Sequence, residues 1–166
     1  MALTKLLELL ERLDDTHLQM LDLAAIKKQT IMDNKVDVLI DIMNRESKLV
    51  KLIGQLEEQR SEATHAFLQG VGIRSNLNLN ITELSRLVFD PDHKSRLQQI
   101  QQKLSDTLQR LKQANELNQK LIEQSLTFID YSLDLLVGRP NQEFTYHHPA
   151  DKGYNNARPG LFDARG

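Results

Sequence analysis

The stretch from residue 90 to residue 138 reads DPDHKSRLQQIQQKLSDTLQRLKQANELNQKLIEQSLTFIDYSLDLLVG. It opens with Asp90-Pro91-Asp92, which offers an N-cap, a proline at the first helical position and an acid in the first turn. Gly138 and Pro140 then mark the end of the helical pattern. The sequence therefore predicts an unbroken helix over 91–137. Its apolar residues recur every three or four positions: Leu97, Ile100, Leu104, Leu108, Leu111, Leu121, Ile122, Phe128, Ile129 and Leu136.

Two shorter amphipathic helices are predicted before this one, over 2–32 and 35–69. Asn34 is the expected N-cap of the second helix, and Asp37 suits the positive end of that helix. Because the break at 33–34 is short, the two helices must fold back on each other as an antiparallel hairpin. The second helix carries these apolar positions: Val36, Leu39, Ile40, Met43, Val50, Ile53 and Leu56.

The connection to the long helix contains glycines and asparagines over 70–81, and Asn80 with Glu83 resembles a capping box. A short helix over 81–88 is expected after it. At about 1.5 Å per residue, the third long helix would be about 70 Å long, against about 45 to 55 Å for each hairpin helix. We expect it to lie antiparallel to the second helix and to run past the hairpin at one end, leaving apolar positions without an internal partner.

The predicted fold class is therefore all-α: an elongated antiparallel three-helix bundle or coiled coil over 1–137, with an irregular tail over 138–166. Composition agrees, since the chain has no Trp, five Phe and three Tyr, which suits Leu-rich helices better than a β-sandwich. The tail contains glycines, prolines and spaced bulky residues. Four of these have the spacing of the anchors in a docking segment: Tyr146, Tyr154, Leu161 and Phe162.

Charge and cysteine usage argue against several function classes. The net charge is −2, and basic residues alternate with acids at i, i+4, as in Asp41–Arg45, so nucleic-acid binding is not expected. The chain has no cysteine, which fits the reducing cytosol. It shows no signal-peptide pattern and no apolar run of about 20 residues. We expect a soluble cytoplasmic protein without membrane insertion.

No catalytic constellation is apparent. Glu62-x-x-His65 has the spacing found in di-iron bundles, but such sites need a second copy of the motif and further glutamates. His147-His148 lies in the tail and is read as polar surface. There is no nucleophile elbow and no phosphate-binding glycine loop. We therefore expect no enzyme activity, no metal and no cofactor; a di-iron bundle enzyme is the alternative that metal analysis would exclude.

Polar residues interrupt the apolar stripe of the long helix between 111 and 132. Two interpretations stay open: the polar residues set the register of the bundle, as a buried Asn does in coiled coils, or they belong to a mixed surface that binds a partner helix. The second interpretation assigns partner binding, and client binding if the partner is a chaperone's client, to Asn115, Asn118, Leu121, Ile122, Ser125, Leu126, Phe128 and Ile129.

In order and length the chain resembles the FlgN family of flagellar type III export chaperones. The resemblance is carried by KVDVLIDIMNRESKLVKLIGQLEEQR (35–60), by NELNQKLIEQSLTFIDYSLDLL (115–136), and by YNNARPGLFDARG (154–166). Its most specific parts are Asn115-x-x-Asn118-x-x-Leu121, Ser125-Leu126-x-Phe128 and the ending Leu161-Phe162-Asp163-Ala164-Arg165.

This resemblance implies a cytoplasmic chaperone. It would bind the unfolded C-terminal segments of the hook–filament junction proteins FlgK and FlgL, prevent their premature aggregation, and deliver them to the flagellar export gate. The main alternative is a structural or adaptor coiled coil without an export role. Self-association of the unloaded chain is a further alternative, because an exposed apolar stripe can pair with itself.

Overall fold

The protein was analysed as a computed structural model, which describes residues 2–74 and 78–138. These residues form four helices and no strand. The helices are α1 (Ala2–Met32), α2 (Val36–Gly70), α3 (Ile81–Ser85) and α4 (Pro91–Val137). The all-α prediction, with a helical hairpin and a longer third helix, is confirmed.

The turn between α1 and α2 uses Asn34 differently from the prediction. Asn34 has a φ of 54° and therefore adopts the left-handed conformation. Its N–H donates to the carbonyl of Ile31 at 3.2 Å, and the N–H of Lys35 donates to that of Thr30 at 3.2 Å. This pair of hydrogen bonds is a Schellman motif that ends α1. Lys35, not Asn34, occupies the N-cap position of α2 and makes no side-chain cap.

α2, like α1, is followed by a residue in the left-handed conformation. Gly72 has a φ of 83°, and the N–H of Ile73 donates to the carbonyl of Leu68 at 2.9 Å. Glycine adopts this left-handed conformation without a steric penalty from a Cβ atom. Ile73 then packs against the apolar core, as the residue after such a glycine commonly does.

The starts of α3 and α4 match the sequence signals. The Asn80 side chain accepts a hydrogen bond from the N–H of Glu83 at 2.8 Å, and the Glu83 carboxylate accepts one from the N–H of Asn80 at 2.9 Å. The Asp90 carboxylate accepts a hydrogen bond from the N–H of Asp92 at 3.2 Å. However, α3 ends at Ser85, short of the predicted 88, because the backbone continues in i→i+3 turns through Val88.

The chain divides into two units, residues 1–125 and 126–166. In the first unit α1 and α2 form the predicted antiparallel hairpin, and Lys27 of α1 bonds to Glu46 of α2 at 3.1 Å. Three contacts set the direction of α4 relative to α1: Arg96 with Glu11, Lys103 with Asp14, and Asn118 with Ala24. Residue numbers rise together along both helices, so α4 lies parallel to α1 and antiparallel to α2. The predicted boundary between a bundle over 1–137 and a tail over 138–166 stays a prediction, because residues 139–166 lie outside the described ones.

The core of the first unit lies where the N-terminal half of α1, the C-terminal half of α2, α3 and the N-terminal half of α4 come together. Burying a Leu or Ile side chain in such a core stabilises the fold by about 1.5 to 3 kcal/mol before entropy costs. The buried members of this cluster are Leu6, Leu7, Leu9, Leu10, Leu13, Leu56, Ala63, Leu68, Leu84, Val88, Leu97, Ile100 and Leu104.

A buried carboxylate also lies between α1 and α4. Asp14 is fully buried, and its carboxylate lies 3.3 Å from the ammonium group of Lys103. Neither oxygen has a hydrogen-bond partner among the described residues. A buried charge is tolerated only beside an opposite charge, so this pair favours one register of α4 on α1.

The N-terminal half of α2 departs from the predicted apolar stripe. Val36, Ile40, Met43 and Val50 are about half exposed or more, while Ile42 is buried in this half of the helix. Leu108 of α4, also counted in the predicted stripe, is exposed as well. The sequence pattern correctly marked these positions as apolar, but no neighbouring helix in the described part of the chain covers them.

A pair of identical substitutions in α4 tests the location of the core. Leu97→Ala removes a fully buried side chain and should lower the free energy of unfolding by about 2 to 5 kcal/mol. Leu117→Ala truncates an exposed side chain and should change it by less than about 0.5 kcal/mol. Urea unfolding followed by circular dichroism measures both values. If both variants lose the same free energy of unfolding, Leu97 does not belong to the core.

Candidate functional site

A single seam runs along α4 with the heptad spacing of a coiled coil. Its positions in the first unit alternate steps of three and four from Leu97 to Ser125, and none of them is buried after Asn118. The seam residues are buried at Leu97, Ile100, Leu104, Thr107, Leu111 and Asn118, and half-buried at Ala114, Leu121 and Ser125. The seam therefore passes from closed core to partly open surface within one helix.

Asn118 marks the last buried position of this seam. Its side chain is 3% exposed, and its amide nitrogen donates to the carbonyl oxygen of Ala24 in α1 at 2.8 Å. The amide oxygen is buried and has no partner among the described residues. A buried amide at such a position specifies the register of two helices. For this residue the structure therefore favours the register interpretation over direct contact with a client.

A cleft of about 540 Å³ opens beside Asn118, between α1, α2 and α4 of the first unit. Its walls combine apolar side chains with amide, hydroxyl and charged groups. Methionine side chains are flexible and polarisable, so they adapt to partners of different shape. The lining residues are Met20, Lys27, Met43, Glu46, Ser47, Val50, Asn115, Asn118, Gln119, Ile122 and Glu123.

The described part of the second unit is the C-terminal stretch of α4, with the sequence LTFIDYSLDLLV (126–137), followed by Gly138. Its large side chains are exposed, including Phe128 at 69% and Leu136 at 84%. Apolar side chains at this density are unusual on a monomeric protein and typical of a binding surface. The exposed set is Leu126, Phe128, Ile129, Tyr131, Leu133, Leu135, Leu136 and Val137. We call this set the α4 apolar segment.

The residues predicted to bind a client therefore fall into three environments. Asn115, Asn118 and Ile122 line the cleft; Leu121 and Ser125 are half-buried on the seam. Leu126, Phe128 and Ile129 belong to the α4 apolar segment. The four predicted tail residues, Tyr146, Tyr154, Leu161 and Phe162, lie outside the described residues.

Sequence reasoning missed the contribution of the hairpin to the cleft. Met20, Met43 and Val50 line it, and the Lys27–Glu46 ion pair, with side chains 18% and 17% exposed, joins the two hairpin helices there. The signal was present in the apolar stripe predicted for α2, which already contained Met43 and Val50.

Over 2–74 and 78–138 there is no group of three or more His, Cys, Asp or Glu residues placed to hold a metal ion. Within the same ranges, none of the helices combines the length and the apolar character needed to cross a membrane.

Fold and surface together define a class: a helical protein with a closed core in its first unit and apolar surface suited to another helix. The chain matches the FlgN protein family over residues 1–152. It is 33% identical over 146 residues to the uncharacterized protein YvyG of Bacillus subtilis (strain 168), covering 88% of this chain and 87% of that protein. No solved structure matches significantly. The chain belongs to the FlgN family, a family of flagellar export chaperones and not of enzymes.

The stabilisation that Asn118 gives through its buried hydrogen bond can be separated from the effect of its helix propensity. Asn118→Ala should lower the free energy of unfolding by about 1 kcal/mol relative to Asn115→Ala, because only Asn118 loses a buried hydrogen bond. Asn115 is exposed, and both variants carry the same change in helix propensity. Urea titrations of the two variants give the difference. Indistinguishable values would remove Asn118 from the set of register-determining contacts.

Proposed function

We propose that this protein is a cytoplasmic chaperone for the hook–filament junction proteins FlgK and FlgL. It binds their unfolded C-terminal segments, keeps these from aggregating or assembling early, and delivers them to the flagellar export gate. Membership of the FlgN family supports the general role. The exposed α4 apolar segment supports a binding role of this kind most directly.

Exposing the α4 apolar segment to water carries a free-energy cost. Each large apolar side chain that a client covers contributes about 1.5 to 3 kcal/mol at full burial. An unfolded client segment with an apolar helical face also exposes apolar side chains to water, at a similar free-energy cost per side chain. Pairing the two faces as helices removes both surfaces from water, which is the helix-in-groove mode of peptide recognition.

The seam and the cleft extend this surface toward the core. Leu121 and Ser125 continue the heptad pattern, while Asn115, Ile122 and Gln119 place amides beside apolar groups at the cleft. Amides of this kind can bond to polar side chains or backbone groups of a client. A mixed surface of this type holds a helix in one register without requiring a single client sequence.

Binding that must later be reversed needs moderate affinity. Ordering an unfolded client segment takes back several kcal/mol of the gross interaction energy. The complex can then be opened at the export gate without a nucleotide site on the chaperone. The chaperone is released there and is not itself exported.

The tail is proposed as a second docking element, and two roles stay open for it. It folds over the bound client as a clamp, or the export gate reads it through an aromatic residue such as Tyr146 or Tyr154. Leu161 and Phe162 would supply further apolar anchors in either role.

Phe128→Asp tests the α4 apolar segment as the client surface. Phe128 is 69% exposed, so the substitution should leave folding intact and weaken binding of FlgK and FlgL C-terminal peptides at least about tenfold. Gln124→Asp is the matched control, because it introduces the same charge at an exposed α4 position outside the segment. Isothermal titration calorimetry measures both affinities. Unchanged affinity of Phe128→Asp, with native circular dichroism, would contradict the assignment.

Ending the chain after Gly138 tests the tail. The truncated protein should keep the helical content of α1 to α4 and still bind client peptides if the tail serves the gate, or lose affinity if the tail clamps the client. Either role predicts reduced secretion of FlgK and FlgL in cells, measured in culture supernatants. Unchanged secretion of both proteins would show that the tail has no part in export.

A further inference from the structure

Helix α2 carries two apolar stripes of heptad spacing, and the fold uses one of them. The inner stripe is buried or half-buried, and its Glu46 bonds to Lys27 of α1. Its members are Leu39, Ile42, Glu46, Leu49, Ile53 and Leu56. The second stripe alternates steps of four and three along the neighbouring face and is exposed throughout. We call it the outer stripe; it comprises Val36, Ile40, Met43, Ser47, Val50 and Gly54.

The outer stripe is built for close contact with another helix. Val36 is 63% exposed and Ile40 is 53% exposed, so water covers side chains that coiled coils normally bury. Among the described residues, no atom outside the adjoining backbone of α2 lies within 4 Å of the position where a Cβ of residue 54 would stand. A glycine inside a helix lowers its stability, and no contact among the described residues accounts for Gly54. Together with Ser47 it leaves room opposite larger side chains.

Charged residues border the outer stripe on the side away from α1, and they are ordered along the helix. Asp37 and Asp41 border its first half, and Lys48 and Lys51 border its second half. All four are exposed. Asp41 also pairs with Arg45 at 3.0 Å within the helix, an exposed pair that contributes little and leaves the carboxylate available.

We propose that the outer stripe binds the outer stripe of a second copy of this chain, with the two α2 helices antiparallel about a two-fold axis at the level of residue 45. In this register Val36 lies opposite Gly54, Ile40 opposite Val50, and Met43 opposite Ser47. In each layer, a larger side chain from the first half of the stripe thus packs against a smaller one from its second half. The same register brings Asp37 beside Lys51 of the second copy, a pair that occurs twice, and Asp41 and Lys48 repeat this order of charge further from the interface.

This self-complementarity identifies the occupant as a second copy. An isologous interface requires that one surface match itself after a half-turn, and the apolar layers and the charge order both do so within about one residue of position 45. In a parallel pairing each charged border would instead lie beside the opposite border of the second copy, so Asp37 would lose Lys51 as its partner.

The inference goes beyond the proposed function and does not depend on it. The outer stripe lies entirely in the first unit, and it contains no residue of the α4 apolar segment. Met43, Ser47 and Val50 also line the cleft, so a second copy covers the α2 wall of that cleft. The test below uses no client.

Charge reversal on each half of the stripe tests the pairing. The doubly substituted variants Asp37→Lys/Asp41→Lys and Lys48→Asp/Lys51→Asp should each dimerise at least about tenfold more weakly than the unmodified chain, because every flanking pair becomes a like-charge pair. An equimolar mixture of the two variants should recover the dimer, since opposite charges then face each other. Sedimentation equilibrium across the micromolar range measures all four samples.

Cross-linking gives an independent readout, because the chain has no cysteine of its own. Asn44→Cys places the thiols within roughly 3 Å along the helix axes and should form an intermolecular disulfide on oxidation. Gln59→Cys is the control on the same helix, since its copies lie roughly 40 Å apart in this register and should stay reduced.

The proposal is overturned if the unmodified chain is monomeric across the concentration range. It is also overturned if the charge-reversed variants dimerise as strongly as the unmodified chain, which would place self-association on another surface such as the α4 apolar segment. Equal disulfide yields at positions 44 and 59 would likewise reject the antiparallel register.

Discussion

A helix can bury its apolar side chains only along the length over which other helices run beside it, and this constraint shapes the whole molecule. The hairpin helices contain 31 and 35 residues, whereas α4 contains 47. Where α1, α2, α3 and α4 come together, leucines are buried almost completely. Beyond Asn118 no described residue of α4 is buried, although its apolar content does not fall. In α4 the apolar side chains thus continue past the last buried position.

Register along the α1–α4 seam is specified by polar groups. Leucines alone would allow two helices to slide by one heptad with little change in buried area. Asp14 beside Lys103 and Asn118 beside Ala24 oppose such a shift, because displacement would leave a buried charge or amide without its partner. These polar groups contribute less to stability than apolar ones of equal size would. They determine, however, which part of α4 is covered by α1.

Most of the fold could be predicted from the sequence because its signals are local. Asp90-Pro91-Asp92 and the Asn80–Glu83 capping box begin helices where expected, and the three-four spacing predicted each long helix to within about a residue. Asn34 was misassigned because asparagine serves equally well as an N-cap and in the left-handed position that ends a helix. Burial was harder, since the heptad pattern of α2 looks the same on its covered and uncovered faces. Asn115 and Asn118 show the same difficulty at the candidate site, because both are asparagines and they lie three residues apart. Asn115 is exposed, whereas Asn118 is buried and bonds to α1.

The central claim is that α4 is covered over its first half and uncovered over 126–137 until a client binds. Hydrogen exchange of the backbone amides, followed residue by residue with and without a client peptide, measures this directly. In the free protein, amides around 97–111 should exchange slowly and those of 126–137 much faster, and adding the peptide should slow the second group selectively. If residues 126–137 are as well protected as 97–111 in the free monomer, their apolar side chains already have an internal partner, and the account is wrong.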